Sequence, residues 1–247
     1  MRTLSSSPLH AVGAFLQDAF FPRLCGVCEK PGTILCSECF HSLPRRSSQV
    51  CGSCGIRETP SGQLCFECIG TSAHDGIFAA THYDDPSVSR LIHLFKYRFI
   101  RDLETPLGAI LAESILRSEI PLPDAILPVP LHPRRERWRG WNQSALLADA
   151  MTRNLPSDIV PPLFHHWLIR TRFTAPQMSI RDRDRRKRNI ENAFSLNGKK
   201  SDIPFDVSGK RLWLIDDVAA SGSTIDACAA TLKKHGAAEV FGIVVAR

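Results

Sequence analysis

The stretch Leu212 to Thr224, LWLIDDVAASGST, constrains the fold more than any other part of the chain. Four apolar residues, two adjacent aspartates, a run of small residues and a Ser-Thr pair predict a buried strand, a tight loop and a helix N-terminus in succession. Open α/β sheets bind ligands beyond the carboxyl ends of their strands, where Asp216 and Asp217 stand. Carboxylates only accept hydrogen bonds, which suits the adjacent hydroxyls of a ribose. The loop Ala219, Ala220, Ser221, Gly222, Ser223, Thr224 lacks bulk, so its backbone N–H groups can close on a phosphate at the positive end of the helix. Its three hydroxyl residues add donors. Carboxylates for the sugar and amides for its phosphate describe a ribose 5-phosphate site. A structural turn with a capping serine is the competing account of DD-x-x-x-SG-x-T taken alone. The order of strand, acids, small loop and helix favours the ligand site. At a ligand face both aspartates are expected to be partly solvated and to contribute little to packing.

Cysteine placement is the second constraint. Eight of nine cysteines lie between residues 25 and 68, as the pairs Cys25/Cys28, Cys36/Cys39, Cys51/Cys54 and Cys65/Cys68. A C-x-x-C pair hooks a turn so that two thiolates face one ion, and Gly26, Gly52 and Gly55 suit such turns. A redox-active C-x-x-C needs one pair on a thioredoxin-like βαβ unit and does not explain four. The pairs therefore predict two structural zinc sites with every metal position filled by protein. Sequential pairing puts one site within 25–39 and one within 51–68; interleaved pairing makes a cross-brace, and the sequential form is favoured. A region too small for its own core folds on the metal, so loss of Cys25 or Cys51 is expected to disorder the N-terminal region and spare the rest. Free thiolates point to a reducing compartment, the cytosol. Cys228, alone on a predicted helix, reads as a small core residue.

At 247 residues and 43% hydrophobic, the chain has room for one ordinary domain and a small one. His10, Gln17 and Asp18 interrupt a moderately apolar N-terminus, and no apolar run is long enough for a membrane span, so neither signal peptide nor span is read. Residues 1–70 comprise a helix carrying Ala11, Phe15, Ala19 and Phe20, stopped by Pro22, and then the cysteine pairs. After the small, polar stretch from Gly70 to Gly76, a second domain runs from 76 to 247. Its predicted elements are a strand at Ile77–Tyr83 and a helix opened by Asp85-Pro86. That helix has Leu91, Ile92, Phe95 and Phe99 on one face and Arg90, Lys96 and Arg98 on the other. A helix over 103–118, a strand at Ala125–Val129, a helix capped by Asn142, the strand 211–215, a helix ending at Gly236 and a strand at Val240–Val245 follow.

Lys and Arg exceed Asp and Glu by 31 to 25, which permits an anionic partner without demanding one. The distribution says more. Arg134, Arg135, Arg137 and Arg139 gather against Gly140 in a loop beyond a strand end, a second anion site unless the loop is merely solvated. One loop for ribose 5-phosphate and another rich in arginine for diphosphate are what phosphoribosyl diphosphate (PRPP) requires. The block Arg170 to Phe194 alternates charges, as an exposed salt-bridged helix or a lid over the site would. Residues 197–209 read as a surface loop.

With these residues assembled, the chain resembles the ComF family of competence-associated phosphoribosyltransferase-like proteins over nearly its whole length. The carriers are the cysteine pairs, HLFKYRF from His93, PVPLHPRRERWRGWNQ, the T-x-x-Q of Thr174 and Gln177, RNIENAF and LIDDVAASGST. The last also resembles the PRPP signature of type I phosphoribosyltransferases, from which Ala220 departs by lacking the usual hydroxyl. The resemblance implies a double zinc ribbon followed by a type I phosphoribosyltransferase fold, an α/β fold with a mostly parallel sheet flanked by helices. It implies PRPP bound with Mg²⁺: Asp216 and Asp217 as the catalytic pair on the ribose, Ala219 to Thr224 on the 5-phosphate, and Arg134, Arg135, Arg137 and Arg139 near the diphosphate. It also implies a cytoplasmic role in uptake and processing of single-stranded DNA in natural transformation, with single-stranded DNA and a ComFA-like helicase as partners. Two function classes compete. One is a PRPP-dependent transferase, in which metal and arginine stabilise the departing diphosphate and whose nucleophile the sequence does not name. The other is a non-catalytic single-strand-binding competence factor that retains the pocket, with Trp138, Trp141 and Phe173 as stacking platforms among basic residues. Core packing is the other account of those aromatics. A zinc-ribbon regulator explains only the first 70 residues.

Overall fold

The apolar run Leu212–Ile215 lies inside a four-stranded sheet and is fully buried, as a strand covered on both faces must be. In chain order the strands are β1 (Gly76–Thr81), β2 (Ala125–Pro128), β3 (Leu168–Arg170), β4 (Phe194–Leu196), β5 (Arg211–Val218) and β6 (Glu239–Ala246). The sheet order is β1-β6-β5-β2 and every neighbouring pair is parallel. Strands β3 and β4 form a separate antiparallel pair. This computed structural model describes residues 23–173, 192–197 and 206–247, and the chain divides into two units, Met1–Leu43 and Pro44–Arg247. The expected helix over Ala11–Phe20, the lid segment with Thr174 and Gln177, and most of the loop 197–209 lie outside the described residues.

Helix α1 (Ser37–Ser42) belongs to the first unit. In the second, α2 (Pro86–Tyr97) starts where the Asp85 side chain accepts from the Ser87 and Val88 N–H groups at 2.9 and 3.0 Å, with Pro86 at its first position. It buries Val88, Leu91, Ile92 and Phe95, at the i, i+3, i+4, i+7 spacing of one helical face. Phe99, expected on that face, lies beyond the helix end at φ 56° and meets Trp138 edge-on. Next come α3 (Glu104–Leu116), α4 (Pro133–Arg139), α5 (Gln143–Arg153) and α6 (Ser223–Lys234). Helix α6 packs Ile225, Cys228, Ala229 and Leu232 into the cluster that holds Leu212, Leu214, Val240 and Val244. The result is a mostly parallel sheet flanked by helices.

One expected loop is a helix. Residues 133–139 form α4, opened by Pro133 and closed by Gly140 in the left-handed region at φ 86°. Proline just inside a helix start and glycine just past its end are the ordinary signals for such an element.

Strand β1 lies at the sheet edge, and the second cysteine cluster covers it. The Gln49 amide donates to the Ala79 carbonyl at 2.9 Å and accepts from the Ala79 N–H at 3.0 Å, standing in for a neighbouring strand. The Arg46 N–H donates to the Ala80 carbonyl, and Arg247 donates to the Cys51 carbonyl at 3.1 Å. Gly62, at φ 78°, lies so close to β1 that a Cβ there would stand 2.0 Å from the Ile77 carbonyl oxygen. Cys51 is thus tied to the sheet within the unit Pro44–Arg247.

Candidate functional site

The metal centres pair their cysteines in sequence: Cys25, Cys28, Cys36 and Cys39 form one cluster, and Cys51, Cys54, Cys65 and Cys68 the other. Within each, all four sulfurs lie within 4.8 Å of one another. Cys28 and Cys36 are 3.7 Å apart and Cys54 and Cys65 4.0 Å, against roughly 3.8 Å for thiolates arranged tetrahedrally about zinc.

The acidities of the thiols argue for a cation. For Cys25 burial is the largest influence and pushes upward, but N–H groups of Cys28, Cys36 and Val27 prevail and lower it to about 6. Cys51 reaches about 6 in the same way, against burial, through N–H groups of Cys65, Cys54 and Ser53. Hydrogen bonding with Cys36, then burial, pushes Cys39 up to about 12; burial, then Cys65, does the same for Cys68. Some thiols are thus held acidic while others resist ionisation beside them. A bound divalent ion lets all four exist as thiolates together. Both clusters are zinc-binding sites.

The second site is a cavity of about 420 Å³ beyond the carboxyl ends of the parallel strands. Strand β5 supplies Asp216 and Asp217, and the exit from β2 supplies Val129, Pro130 and Leu131. Helix α4 contributes Arg135 and Arg139, and the first turn of α5 contributes Gln143 and Ser144. From α2 come Lys96 and Tyr97, from β3 Arg170, from the loop after β5 Ala220, and from the first turn of α6 Thr224. A concavity of about 20 Å³, sharing Asp216, Ala220 and Thr224, is lined by Ala219, Ser221, Gly222 and Ser223. Gly222 sits at φ 71°, a left-handed turn that favours glycine, and a Cβ there would come within 2.8 Å of the Ile77 Cδ1. The Ser221 and Ser223 hydroxyls are 2.8 Å apart.

The four expected diphosphate arginines divide. Arg135 and Arg139, one turn apart on α4, line the cavity; Arg134 and Arg137 are exposed and do not. The Arg134 and Arg135 guanidinium groups stand 5.7 and 5.6 Å from the centre of the Phe173 ring.

Lys96, on the polar face of α2, also lines the cavity. Its Nζ lies 2.8 Å from Asp217 Oδ1, and the Asp217 side chain is only 6% exposed. The expected partial solvation therefore fails for Asp217, whose charge is met inside the protein. Burial, the largest influence, pulls Lys96 down, but Asp217 and Asp216 outweigh it and raise it above the usual range. Asp216 accepts from the Ser144 hydroxyl and from the Asp217 N–H, each at 2.9 Å. Burial first and the Asp217 charge second push Asp216 up to about 7, with Lys96 opposing. Gln143, Ser144, Tyr97 and Arg170 were also missed. Only the helix reading of PRRERWRG, together with the Asn142 cap, could have brought α4 and the start of α5 to one wall.

Four cations, Lys96, Arg135, Arg139 and Arg170, face two carboxylates. Burial depresses all three guanidinium groups. Arg139 Nε and Gln143 Nε2 are shielded from solvent without a hydrogen-bond partner among the described residues. Buried donors left unmade cost about 1–3 kcal/mol each. The wall suits an anionic ligand rich in acceptors.

Residues 16–69 match the double zinc ribbon domain. Competence protein F of Haemophilus influenzae is 35% identical over 163 residues, covering 64% of this chain and 67% of that one. The chain belongs to the ComF family. The DNA utilization protein YhgH of Escherichia coli K12 is 36% identical over 163 residues, 63% of this chain and 65% of its own length. The chain thus spans about two thirds of these ComF relatives. The bifunctional protein PyrR of a Picosynechococcus strain is 48% identical over 46 residues, 19% of this chain and 26% of that one. Among the described residues no helix is long and apolar enough to cross a membrane.

Proposed function

We propose that the strand-end cavity binds PRPP with Mg²⁺, and that the chain serves uptake or processing of single-stranded DNA, as the names of its competence and DNA-utilization relatives suggest. The observation that supports this is the grouping of Lys96, Arg135, Arg139 and Arg170 around two carboxylates at the strand ends. Asp216 and Asp217 take the ribose hydroxyls, Ala219 to Thr224 enclose the 5-phosphate, and Arg135 and Arg139 take the diphosphate. Arg134 and Arg137 add long-range attraction from the outer face of α4. Mg²⁺ arriving with the ligand would neutralise part of the diphosphate charge. As its bond to the sugar lengthens, the carboxylates stabilise a developing oxocarbenium ion, which makes them the catalytic pair of a phosphoribosyl transfer. In the same division of labour residues 1–70 are the metal-held region and 76–247 the ligand-binding one, working in the cytoplasm, where thiolate sites persist.

A second reading, a single-strand-binding competence factor that keeps this pocket without turnover, is favoured by Trp138 and Phe173. They are 67% and 50% exposed beside Arg134 and Arg135, as stacking platforms beside phosphate contacts would be. Trp141, half-buried against Phe99, fits packing instead. A ComFA-like helicase is the protein partner this reading implies.

Titration with PRPP and Mg²⁺, beside ribose 5-phosphate and diphosphate alone, tests the first reading. PRPP should bind more tightly than either fragment, and equal affinity for all three would refute a site spanning both anions. A turnover screen with candidate acceptors separates enzyme from binding protein. Single-strand affinity that falls steeply with salt and drops in R134Q/R135Q supports the second.

A further inference from the structure

A second cavity, of about 520 Å³, shares no residue with the strand-end pocket. It lies between the chain at 45–49, the turn at 58–61, Phe78 of β1 and the end of α3. Its size falls within the roughly 300–1,000 Å³ of small-molecule sites. Three arginines line it: Arg45, Arg46 and Arg117. Arg45 is held by Glu113 at 3.2 Å. Arg46 is fixed by its backbone bond to Ala80, and its Nη2 donates to His82 Nδ1 at 3.2 Å. The Arg46 Nε, however, is shielded from solvent with no hydrogen-bond partner among the described residues, and so is the Ser114 hydroxyl. Burial holds the Arg46 guanidinium below its usual range, with Asp84 only partly opposing, so this cation is short of negative charge. Ser61 on the same wall adopts the left-handed φ of 53°, an unfavourable conformation for a non-glycine residue that is often found at ligand sites. Two carboxylates, Glu58 and Glu119, complete the lining, and Glu58 accepts from the Ser48 hydroxyl at 3.1 Å.

We infer that this cavity is a second ligand site, which takes the 5′-monophosphate of a nucleotide, either free or at the end of a single strand. The mixed wall selects that chemistry. The guanidinium groups of Arg46 and the exposed Arg117 can flank one phosphate group, with Ser47 and Ser48 on the same wall. Glu58 and Glu119 oppose a chain of phosphates but accept from sugar hydroxyls or base amino groups. A monophosphate with a donor-bearing body satisfies both signs; inorganic phosphate satisfies one, and a nucleoside the other. The inference stands apart from the PRPP reading, since none of its residues touches that pocket.

The experiment is calorimetric titration of the full chain with AMP, adenosine, inorganic phosphate and a short oligothymidylate with and without a 5′-phosphate. AMP or the phosphorylated strand should bind at least tenfold more tightly than adenosine or phosphate, and whichever is tighter identifies the source. R46Q should weaken that binding at least tenfold. R117E, at an exposed position that leaves the fold undisturbed, should do the same, so misfolding of R46Q cannot hide the answer. T224A, in the 5-phosphate loop of the strand-end pocket, should leave it unchanged. Absence of AMP and strand-end binding in the wild type overturns the inference. So does binding that survives R117E, or binding lost in T224A, which would place the nucleotide in the other pocket.

Discussion

The second cysteine cluster and the strand-end cavity belong to one unit, yet they handle polar groups in opposite ways. Around Cys51, Cys54, Cys65 and Cys68 the ties to the sheet are made within the fold: Gln49 meets both backbone groups of Ala79, Arg247 meets the Cys51 carbonyl, and the four sulfurs converge at metal distance. In the cavity Arg139 Nε and Gln143 Nε2 are buried and unmet, and cations outnumber carboxylates. A region completed from within stabilises the fold. A region left incomplete waits for something from outside. The contrast predicts that damage to the first appears as lost stability and damage to the second as lost binding.

The largest effect should come from breaking the completed region. Cys51→Ser removes a zinc site welded to β1, and structural zinc is worth on the order of 10 kcal/mol. Even a fraction of that, at roughly 2–4 °C per kcal/mol for a unit of this size, lowers the main melting transition by more than about 10 °C. Cys25→Ser should also lose one zinc but leave that transition within about 2 °C, because its cluster lies in the other unit. Metal content and calorimetry on both variants check this; equal shifts would break the distinction.

At Lys96 the cavity is already completed from within, so it sharpens the comparison. Lys96→Met leaves Asp217 buried without its partner, at a cost of about 3 kcal/mol or roughly 6–12 °C. Thermal unfolding reads the loss, and an unchanged melting temperature would mean the ion pair is solvated after all. Gln49→Ala should cost less, about 1–3 kcal/mol for two backbone bonds left unmade at a strand edge, without touching PRPP affinity. Denaturant unfolding beside PRPP titration would detect either failure.

These assignments show what was legible in the sequence. The cysteine spacing gave both metal sites, and strand–acid–loop–helix order put Asp216 and Asp217 at a cavity, because periodicity and turn residues are local signals. Lys96 was hidden: its role depends on α2 ending beside β5, a contact between distant segments that no local pattern carries. Arg135 and Arg139 could not be told from Arg134 and Arg137 while the segment was read as a loop, since only helical geometry sorts them by face. Gln49 gave no signal at all, because a glutamine acting as a strand neighbour looks like any surface glutamine.

A smaller effect concerns pH. Asp216 titrates near 7 in the folded chain against an ordinary value of 3.8, so folding favours its protonated form. That contribution to stability is fully present below the ordinary value and is lost as pH rises through about 7. Unliganded protein should therefore lose some stability between pH 6 and 8, and Asp216→Asn should flatten the slope. Melting temperatures across that range, where the zinc sites remain intact, decide it; a slope that persists in the variant would assign it to another group.

The most direct test of the central claim is calorimetry of PRPP with Mg²⁺ against the wild type and Arg139→Gln, beside thermal unfolding of both without ligand. The account predicts that the wild type binds and that the variant binds ten- to a hundredfold more weakly, the loss expected for one hydrogen bond to a charged group. The variant should melt within about 2 °C of the wild type, since no partner inside the fold is lost at Arg139 Nε. A wild type that does not bind PRPP, or a variant that binds as well as the wild type while melting several degrees lower, would contradict it.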